Sequence, residues 1–197
     1  MHFKNIIFLL VFVLSNAVSY GIDKHLYNSS EGLSNSLIND VYQDHLGFIW
    51  VATENGLNRF DGIKFKSFFE NNSDSLSLKY NFVSTIAEDN NGNLLVGQIN
   101  GLQRYNYKTE TFKEIELYVN DERIHHYISA ILTLRDGDTW ITTSGYGLIK
   151  LDKTTGIPVH SAELNERLCS AYLRCLFQDR DGILWIGSDD SGVNSYN

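Results

Sequence analysis

Carboxylates that could carry acid–base chemistry recur along this sequence at a fixed interval. Asp44, Asp89 and Asp179 each stand three residues before a glycine, and 45 residues separate the first two. A catalytic carboxylate has no reason to recur in register, whereas a turn residue does. An aspartate can accept hydrogen bonds from nearby backbone N–H groups, and a following glycine can take a positive φ. We therefore interpret these aspartates as hairpin residues rather than catalytic groups.

Basic side chains offer little more chemistry. His125 and His126 are adjacent, and neighbouring residues of a strand point to opposite faces, so one metal cannot easily bind both. Arg59 and Arg104 recur in register, which favours a pairing role within each repeat. No phosphate-binding glycine loop or Gly-x-Ser-x-Gly motif is present. The sequence predicts no catalytic residue, no metal site, no cofactor and therefore no enzyme.

The elements that position these residues follow from an internal repeat of about 45 residues. Two of its columns are Gly47, Gly92, Gly137 and Gly182, and Trp50, Leu95, Trp140 and Trp185. Each unit holds short apolar or alternating segments with Gly, Asn or Asp between them, which is typical of a four-stranded propeller blade. The predicted fold is an all-β β-propeller with four blade repeats. A β-sandwich with coincidental spacing is the alternative.

The first residues have the pattern of a signal peptide at 1–19. Lys4 precedes nine apolar residues at 6–14, and Ala17 and Ser19 are small. Nine apolar residues fall short of the ~20 that a membrane-spanning helix needs; an uncleaved anchor or a buried helix is the alternative. We predict an N-terminal strand at 20–30 that could close a ring. Blade repeats follow at 31–76, 77–121, 122–167 and, incomplete, 168–197.

The unit D-x-x-G-x-[IL]-W-[VI]-[AG]-T, followed by N-G-L-x-R-[FY]-[DN], resembles the two-component regulator propeller repeat. Residues 44–61 and 89–106 carry both parts. Leu95 replaces the tryptophan in the second copy, and the third copy departs from the pattern at Leu134, Thr142 and Lys150. The resemblance covers nearly all of residues 31–197.

This resemblance implies the periplasmic sensor region of Bacteroidetes-type hybrid two-component histidine kinases. We therefore expect an exported, periplasmic, truncated part of a seven-bladed propeller that detects an oligosaccharide for polysaccharide-utilisation genes. The family also implies a homodimer, with kinase activity and membrane contact in downstream segments. The alternatives are a secreted hydrolase or lyase, suggested by the Asp-box-like residues 136–140, and a freestanding four-bladed lectin or scaffold.

The loops at one end of the predicted blades hold the candidate ligand-binding residues. The D-x-x-G hairpins share one face, so the next turns and the loops before each first strand lie on the opposite face. These loops mix aromatic rings with amides and carboxylates, which suits a sugar ring; solvated turns are the alternative. The candidates are Asn55, Asn100, Tyr146, Asp190, Tyr80, His126, Tyr127 and Tyr172.

Four further expectations concern stability and partners. Trp50, Trp140 and Trp185 are expected to pack between adjacent blades. Cys175 is expected to be a buried free thiol rather than the disulfide partner of Cys169, because spacing alone cannot show that the geometry is met. A net charge of −8 argues against a nucleic-acid partner. Bare blade faces also predict that isolated residues 20–197 aggregate or fold loosely.

Overall fold

The computed structural model describes residues 24–197. The signal peptide predicted at 1–19 and residues 20–23 of the predicted N-terminal strand lie outside the described residues. No helix within residues 24–197 is long and apolar enough to cross a membrane. Helix is confined to a 3-10 turn at Ser29–Glu31 and to α1 (Ala162–Glu166), so the described chain is almost entirely β.

Four antiparallel sheets follow one another along the chain, each built from consecutive strands. Sheet 1 contains β1 (Ile38–Gln43), β2 (Ile49–Thr53), β3 (Gly56–Phe60) and β4 (Phe65–Phe68). Sheet 2 contains β5 (Val83–Glu88), β6 (Leu94–Gln98), β7 (Gly101–Asn106) and β8 (Thr111–Ile115). A two-stranded ribbon, β9 (Leu117–Val119) and β10 (Glu122–Ile124), precedes sheet 3. Sheet 3 contains β11 (Ile128–Thr133), β12 (Thr139–Thr143), β13 (Leu148–Leu151) and β14 (Pro158–His160). Sheet 4 contains β15 (Leu173–Gln178), β16 (Leu184–Ser188) and β17 (Val193–Tyr196).

Aspartate builds the turn between the first and second strands of sheet 1. Asp44 Oδ1 accepts hydrogen bonds from the backbone N–H groups of Leu46 and Phe48, at 3.0 and 2.9 Å. Gly47 follows with φ +89°, a conformation that favours glycine. Asp179 makes the same pair of bonds in sheet 4, to Asp181 and Ile183. These contacts explain why the aspartate recurs with the sheet.

The sheets are arranged around their first strands. Strands β1, β5, β11 and β15 contact one another in that order, so they form the inner side of the molecule. A separate apolar cluster fills each space between neighbouring sheets. The largest buried members include Trp50 and Tyr105 between sheets 1 and 2, Leu95 and Ile141 between sheets 2 and 3, and Trp140 and Leu184 between sheets 3 and 4. The chain is therefore an all-β propeller, as the repeat predicts; the seven-bladed parent ring stays a prediction.

The three tryptophans do not share one environment. Trp50 is fully buried and contacts Tyr105 of sheet 2 with ring centroids 4.9 Å apart. Trp140 is 6% exposed and faces Tyr196 of sheet 4. Trp185 is 39% exposed, so the expectation that it packs between blades is wrong in this structure. The physical reason is that no sheet within residues 24–197 covers the outer side of sheet 4.

Cys175 departs from its prediction for the same reason. It is a free thiol, but an exposed one, because it lies on β15 of the uncovered sheet. Cys169 is also free and exposed.

The N-terminal segment differs from the strand predicted at 20–30. Its described part forms no strand before the 3-10 turn, whose N-cap Asn28 accepts a hydrogen bond from Ser30 N–H. Tyr27 lies on the rings of Phe60 and Phe65, with centroids 5.1 and 5.4 Å away. A strand needs a partner edge, and here the segment packs instead on side chains of β3 and β4.

Candidate ligand-binding site

One end of the sheets carries the loops that differ between repeats. Strand β1 pairs with β2 from Gln43↔Ile49 to Ile38↔Thr53, so the start of β1 lies beside the turn after β2. The same register recurs in the other sheets. We call this end the loop face: the turns after β2, β6, β12 and β16, together with the segments before β1, β5, β11 and β15.

Three predicted residues meet on the loop face between sheets 3 and 4. The rings of His126 and Tyr146 are T-shaped with centroids 5.0 Å apart. A Cβ on Gly145 would lie 3.1 Å from His126 Cε1 and 3.8 Å from Tyr172 Cε1, so the glycine lets both rings approach the backbone. Tyr172 is exposed and forms a β-bridge with Ser144. We call His126, Tyr146 and Tyr172 the aromatic cluster; both tyrosines are exposed and His126 is half-buried.

A pocket lies beside this cluster, at the inner strands. Its volume is about 240 Å³. Four of its lining residues occupy the second position of β1, β5, β11 and β15, at a spacing of 45 residues: Asn39, Ser84, Ser129 and Arg174. Tyr127 and Asp189 complete the lining. We call this cavity the axial pocket, because every inner strand contributes one side chain to it.

A β-bulge places each of the four residues. Strand pairing shifts register between Ile38 and Asp40 in sheet 1, and at the same step in the other three sheets. A bulge leaves one residue unpaired and redirects its side chain. The bulged positions are Asn39, Ser84, Ser129 and Arg174, so the bulges explain why the polar side chain at this position of each strand reaches the pocket.

The bulged side chains also join neighbouring sheets. Asn39 Nδ2 donates to Val83 O at 2.7 Å, Ser84 Oγ to Ile128 O at 2.5 Å and Ser129 Oγ to Leu173 O at 2.6 Å. Each acceptor is the residue just before the next bulge. The result is a chain of hydrogen bonds that runs from sheet to sheet around the inner side.

Sheet 4 supplies the charged side chains that line the axial pocket. Arg174 Nη1 donates to Asp189 Oδ1 at 2.9 Å, and this interaction raises the pKa of the guanidinium. Asp189 is held in turn by its N–H, which donates to Tyr172 O at 2.9 Å. Hydrogen bonds from Ser170 and Ser191 lower the pKa of the neighbouring Asp190. The ion pair thus connects the aromatic cluster to the pocket.

The structure gathers the predicted residues only in part. His126, Tyr146, Tyr172, Tyr127 and Asp190 lie on the loop face of sheets 3 and 4, in or beside the two features described above. Asn55 and Asn100 lie in exposed turns of sheets 1 and 2, and Tyr80 is half-buried before β5. These last three do not line the axial pocket.

Sequence reasoning missed the bulged residues and Asp189. The sequence did carry a signal for the bulged residues, because a polar residue stands at the second position of each inner strand at a spacing of 45 residues. The sequence alone did not reveal the role of this position, because side chains of a regular strand alternate between faces and the bulge that redirects this one is not visible in the sequence.

The histidine pair lies in the loop before β11, so strand alternation does not decide its geometry. His125 Nδ1 is 3.9 Å from Glu114 Oε1, whereas His126 faces Tyr146. Within residues 24–197, no group of three or more His, Cys, Asp or Glu side chains is placed to hold a metal ion.

The chain is thus a β-propeller region built from sequence repeats, and its loop face presents polar and aromatic side chains. The model of the two component regulator propeller family matches residues 32–55, 77–100 and 167–190. Three of the four repeats therefore match that family. The unmatched third repeat is the one with the departures at Leu134, Thr142 and Lys150.

Similar sequences and structures occur in two-component proteins. Histidine kinase P4 of Formosa agariphila is 48% identical over 48 residues, which are 24% of this chain and 4% of that protein. The solved extracellular domain ascribed to the hybrid two component system BT3049 of B. thetaiotaomicron superposes with a TM-score of 0.72 at 25% identity. That match covers 88% of this chain and 26% of the other, so the chain spans about a quarter of the solved domain.

Two further solved structures show the fold alone. The extracellular domain of BT4673 from B. thetaiotaomicron matches with a TM-score of 0.66 at 23% identity, over 87% of this chain and 23% of that one. Virginiamycin B lyase from Staphylococcus aureus matches with a TM-score of 0.55 at 15% identity, over 81% of this chain and 55% of the lyase. The chain is therefore a propeller region of the kind found in two-component sensors.

Proposed function

We propose that this chain is an exported, periplasmic part of a two-component sensor and that its loop face binds a small extracellular ligand, an oligosaccharide. The observation that carries the proposal is the match to a sensor extracellular domain over 88% of the chain. Control of polysaccharide-utilisation genes, kinase activity and a homodimeric state belong to the proposal for the whole protein.

The loop face supports an oligosaccharide by its chemistry. Tyr146 and Tyr172 offer exposed aromatic surface beside a fixed ion pair, Arg174–Asp189. Sugar rings stack their C–H faces on such rings while their hydroxyls bond to fixed polar groups. The aromatic cluster and the axial pocket are adjacent, so one ligand can contact both.

A test in the organism that carries the gene separates sensing from mere folding. We would replace Tyr172 by alanine at the native locus, transfer cells to each of a panel of polysaccharides, and measure transcripts. The expected result is loss of the transcriptional response to one polysaccharide. Tyr118→Ala, which removes an exposed aromatic from the ribbon, is the matched control and keeps the response. Unchanged responses in Tyr172→Ala on every polysaccharide would overturn the proposal.

The hydrolase or lyase alternative rests on residues 136–140, and the structure gives these another role. Asp136 Oδ1 accepts a hydrogen bond from Asp138 N–H at 3.0 Å within the turn, and Asp138 pairs with Lys150 on the next strand. Both carboxylates therefore hold a hairpin on the face opposite the loop face. Release of new reducing ends or unsaturated products from a glycan incubated with the purified chain would favour the enzyme instead.

A further inference from the structure

The axial pocket has a defined hydrogen-bonding polarity. A hydroxyl has one hydrogen to donate and lone pairs to accept with. Ser84 directs its hydrogen to Ile128 O, and the hydroxyl of Ser129 lies 2.6 Å from Leu173 O and 2.8 Å from Thr142 Oγ1. Asn39 uses Nδ2 on Val83 O. The two serines keep acceptor lone pairs for a ligand, and Asn39 keeps its carbonyl oxygen together with the second hydrogen of Nδ2.

The charged groups add to this excess of acceptors. Arg174 is the one cation lining the pocket, and one of its N–H groups is already donated to Asp189. Asp189 contributes a carboxylate, and Asp190 adds a second next to it in the chain. The two lining charges balance, and Asp190, which follows Asp189 in the chain but does not line the pocket, makes the sum of the three charges negative, which disfavours an anionic ligand.

We propose that the axial pocket binds one neutral, polyhydroxylated ring, a monosaccharide unit, and discriminates against uronic acid and sulfated sugars. The proposal rests on the proposed function, since it names the ligand class of the same face. Hydroxyl groups donate to the oxygens of Asn39, Ser84 and Ser129. The Arg174–Asp189 pair offers one donor and one acceptor side by side, which suits two adjacent hydroxyls.

The size of the cavity limits the ligand to one ring. Pockets that hold drug-sized ligands measure ~300–1,000 Å³, and the axial pocket measures about 240 Å³. Tyr127 borders the pocket and follows His126 of the aromatic cluster in the chain, so further sugar units would extend from the pocket over that cluster.

Binding of neutral and anionic methyl glycosides to the full chain tests the proposal. We would titrate the methyl glycosides of glucose, galactose, mannose and xylose, and methyl glucuronide, by calorimetry and by saturation-transfer NMR. At least one neutral glycoside is expected to bind with a Kd of about 1 mM or tighter, and the glucuronide about tenfold more weakly or not at all. If the glucuronide binds as tightly as the neutral glycosides or more tightly, the proposed discrimination against anionic sugars is wrong. If none of the four neutral glycosides binds, the axial pocket is not a sugar site.

Variants locate the binding. The side chain of Arg174 is 74% exposed, so Arg174→Gln leaves the packed strands intact; Asp189→Asn removes its carboxylate partner. Each is expected to weaken the neutral glycoside about tenfold or more, because hydrogen bonds to charged groups are the strong ones. Arg135→Gln, an exposed arginine on the hairpin face that donates to Arg180 O, is the matched control and keeps wild-type affinity. Unchanged affinity in both pocket variants overturns the proposal.

The two proposals fail separately. If a neutral glycoside binds in an Arg174-dependent way but Tyr172→Ala has no transcriptional effect, the axial-pocket proposal stands and the sensor proposal is rejected. If Tyr172→Ala loses a transcriptional response but the purified chain binds no glycoside, the sensor proposal stands and the axial-pocket proposal is rejected.

Discussion

Asp44 Oδ2 accepts a hydrogen bond from Trp50 Nε1 at 2.7 Å, and both side chains are buried. The same pair recurs in sheet 4, where Trp185 Nε1 donates to Asp179 Oδ2 at 2.8 Å. Each aspartate thus uses one oxygen for the turn and the other for the tryptophan six residues further on, in the second strand. The pair ties the hairpin to the space between sheets.

The other two repeats each lack one member of the pair. Leu95 replaces the tryptophan in the second, and there Asn93 Nδ2 donates to Asp89 instead, at 2.9 Å from Oδ2. Leu134 replaces the aspartate in the third. Among residues 24–197, nothing accepts a hydrogen bond from the buried Trp140 Nε1.

This difference predicts unequal costs for the same substitution. Trp50→Phe removes the donor and leaves a buried carboxylate oxygen without it, so we expect a loss of about 2–4 kcal/mol in the free energy of unfolding. Trp140→Phe removes an unpaired N–H group and is expected to stay within about 1 kcal/mol of wild type. Urea unfolding followed by far-UV circular dichroism measures both. Equal costs would show that the hydrogen bond to Asp44 contributes nothing.

Close packing of sheets 2 and 3 depends on the absence of a side chain at Gly97. A Cβ there would lie 2.6 Å from Thr85 Cγ2 and 2.9 Å from Ile128 Cγ2. Gly97→Ala is therefore expected to cost about 1–3 kcal/mol of unfolding free energy. Adding Thr85→Ser removes the first clashing methyl group, keeps the hydroxyl that donates to Asp40 Oδ2, and should recover part of the loss.

Gly187→Ala is the control for that prediction. Its nearest neighbour would be Cys175 Sγ at 2.6 Å, on the uncovered sheet 4 where the thiol is free to rotate. We expect a smaller loss than for Gly97→Ala in the same unfolding experiment. If the two alanines cost the same, crowding between sheets is not the cause.

An ion pair between sheets 1 and 2 predicts a pH dependence. His45 Nδ1 lies 2.6 Å from Glu88 Oε1, and this hydrogen bond raises the pKa of the imidazole. A raised pKa in the folded state means that the stabilisation is complete below the unfolded value of about 6.5 and is lost as pH rises through the folded value. The free energy of unfolding should therefore fall as pH rises from about 6.5 through the folded-state pKa of His45.

His45→Gln isolates this effect. The variant keeps a hydrogen-bonding side chain but does not titrate, so its free energy of unfolding should vary less with pH between about 5.5 and about 9. Urea titrations at intervals across that range give the two slopes. A wild-type slope that the variant reproduces would assign the pH dependence to other groups.

The sequence predicted the parts of the fold that repeat. Asp44, Gly47 and Trp50 stand at fixed positions because each makes a local contact within one sheet, and local contacts leave a pattern in the chain. The environment of Trp185 was not predictable in this way. Its burial depends on whether a sheet lies beside it, and a neighbour's presence leaves no mark at the residue itself.

A single repeat also does not show that a larger residue on one strand can be balanced by a smaller residue on the paired strand. Thr142 breaks the small-residue column, yet it pairs with Ala130, whereas Gly97 pairs with Thr85. The larger side chain has moved from one strand to its partner, so the pair keeps its bulk. The site shows the same limit: His126 and Tyr146 meet through a turn at Gly145 whose shape the composition does not give.

Sheet 4 presents an apolar surface that predicts self-association of the chain. Phe177 is 63% exposed, and Trp185 and Val193 are exposed on the same face of the sheet. Contiguous apolar surface at a sheet with a free edge favours pairing with another molecule. Sedimentation velocity at about 10–200 µM should show mass increasing with concentration. Phe177→Ser with Val193→Thr should reduce that increase, whereas Ile63→Ser, at an isolated exposed position in the turn before β4, should not. A wild-type chain that stays monomeric across this range would show that sheet 4 does not drive association.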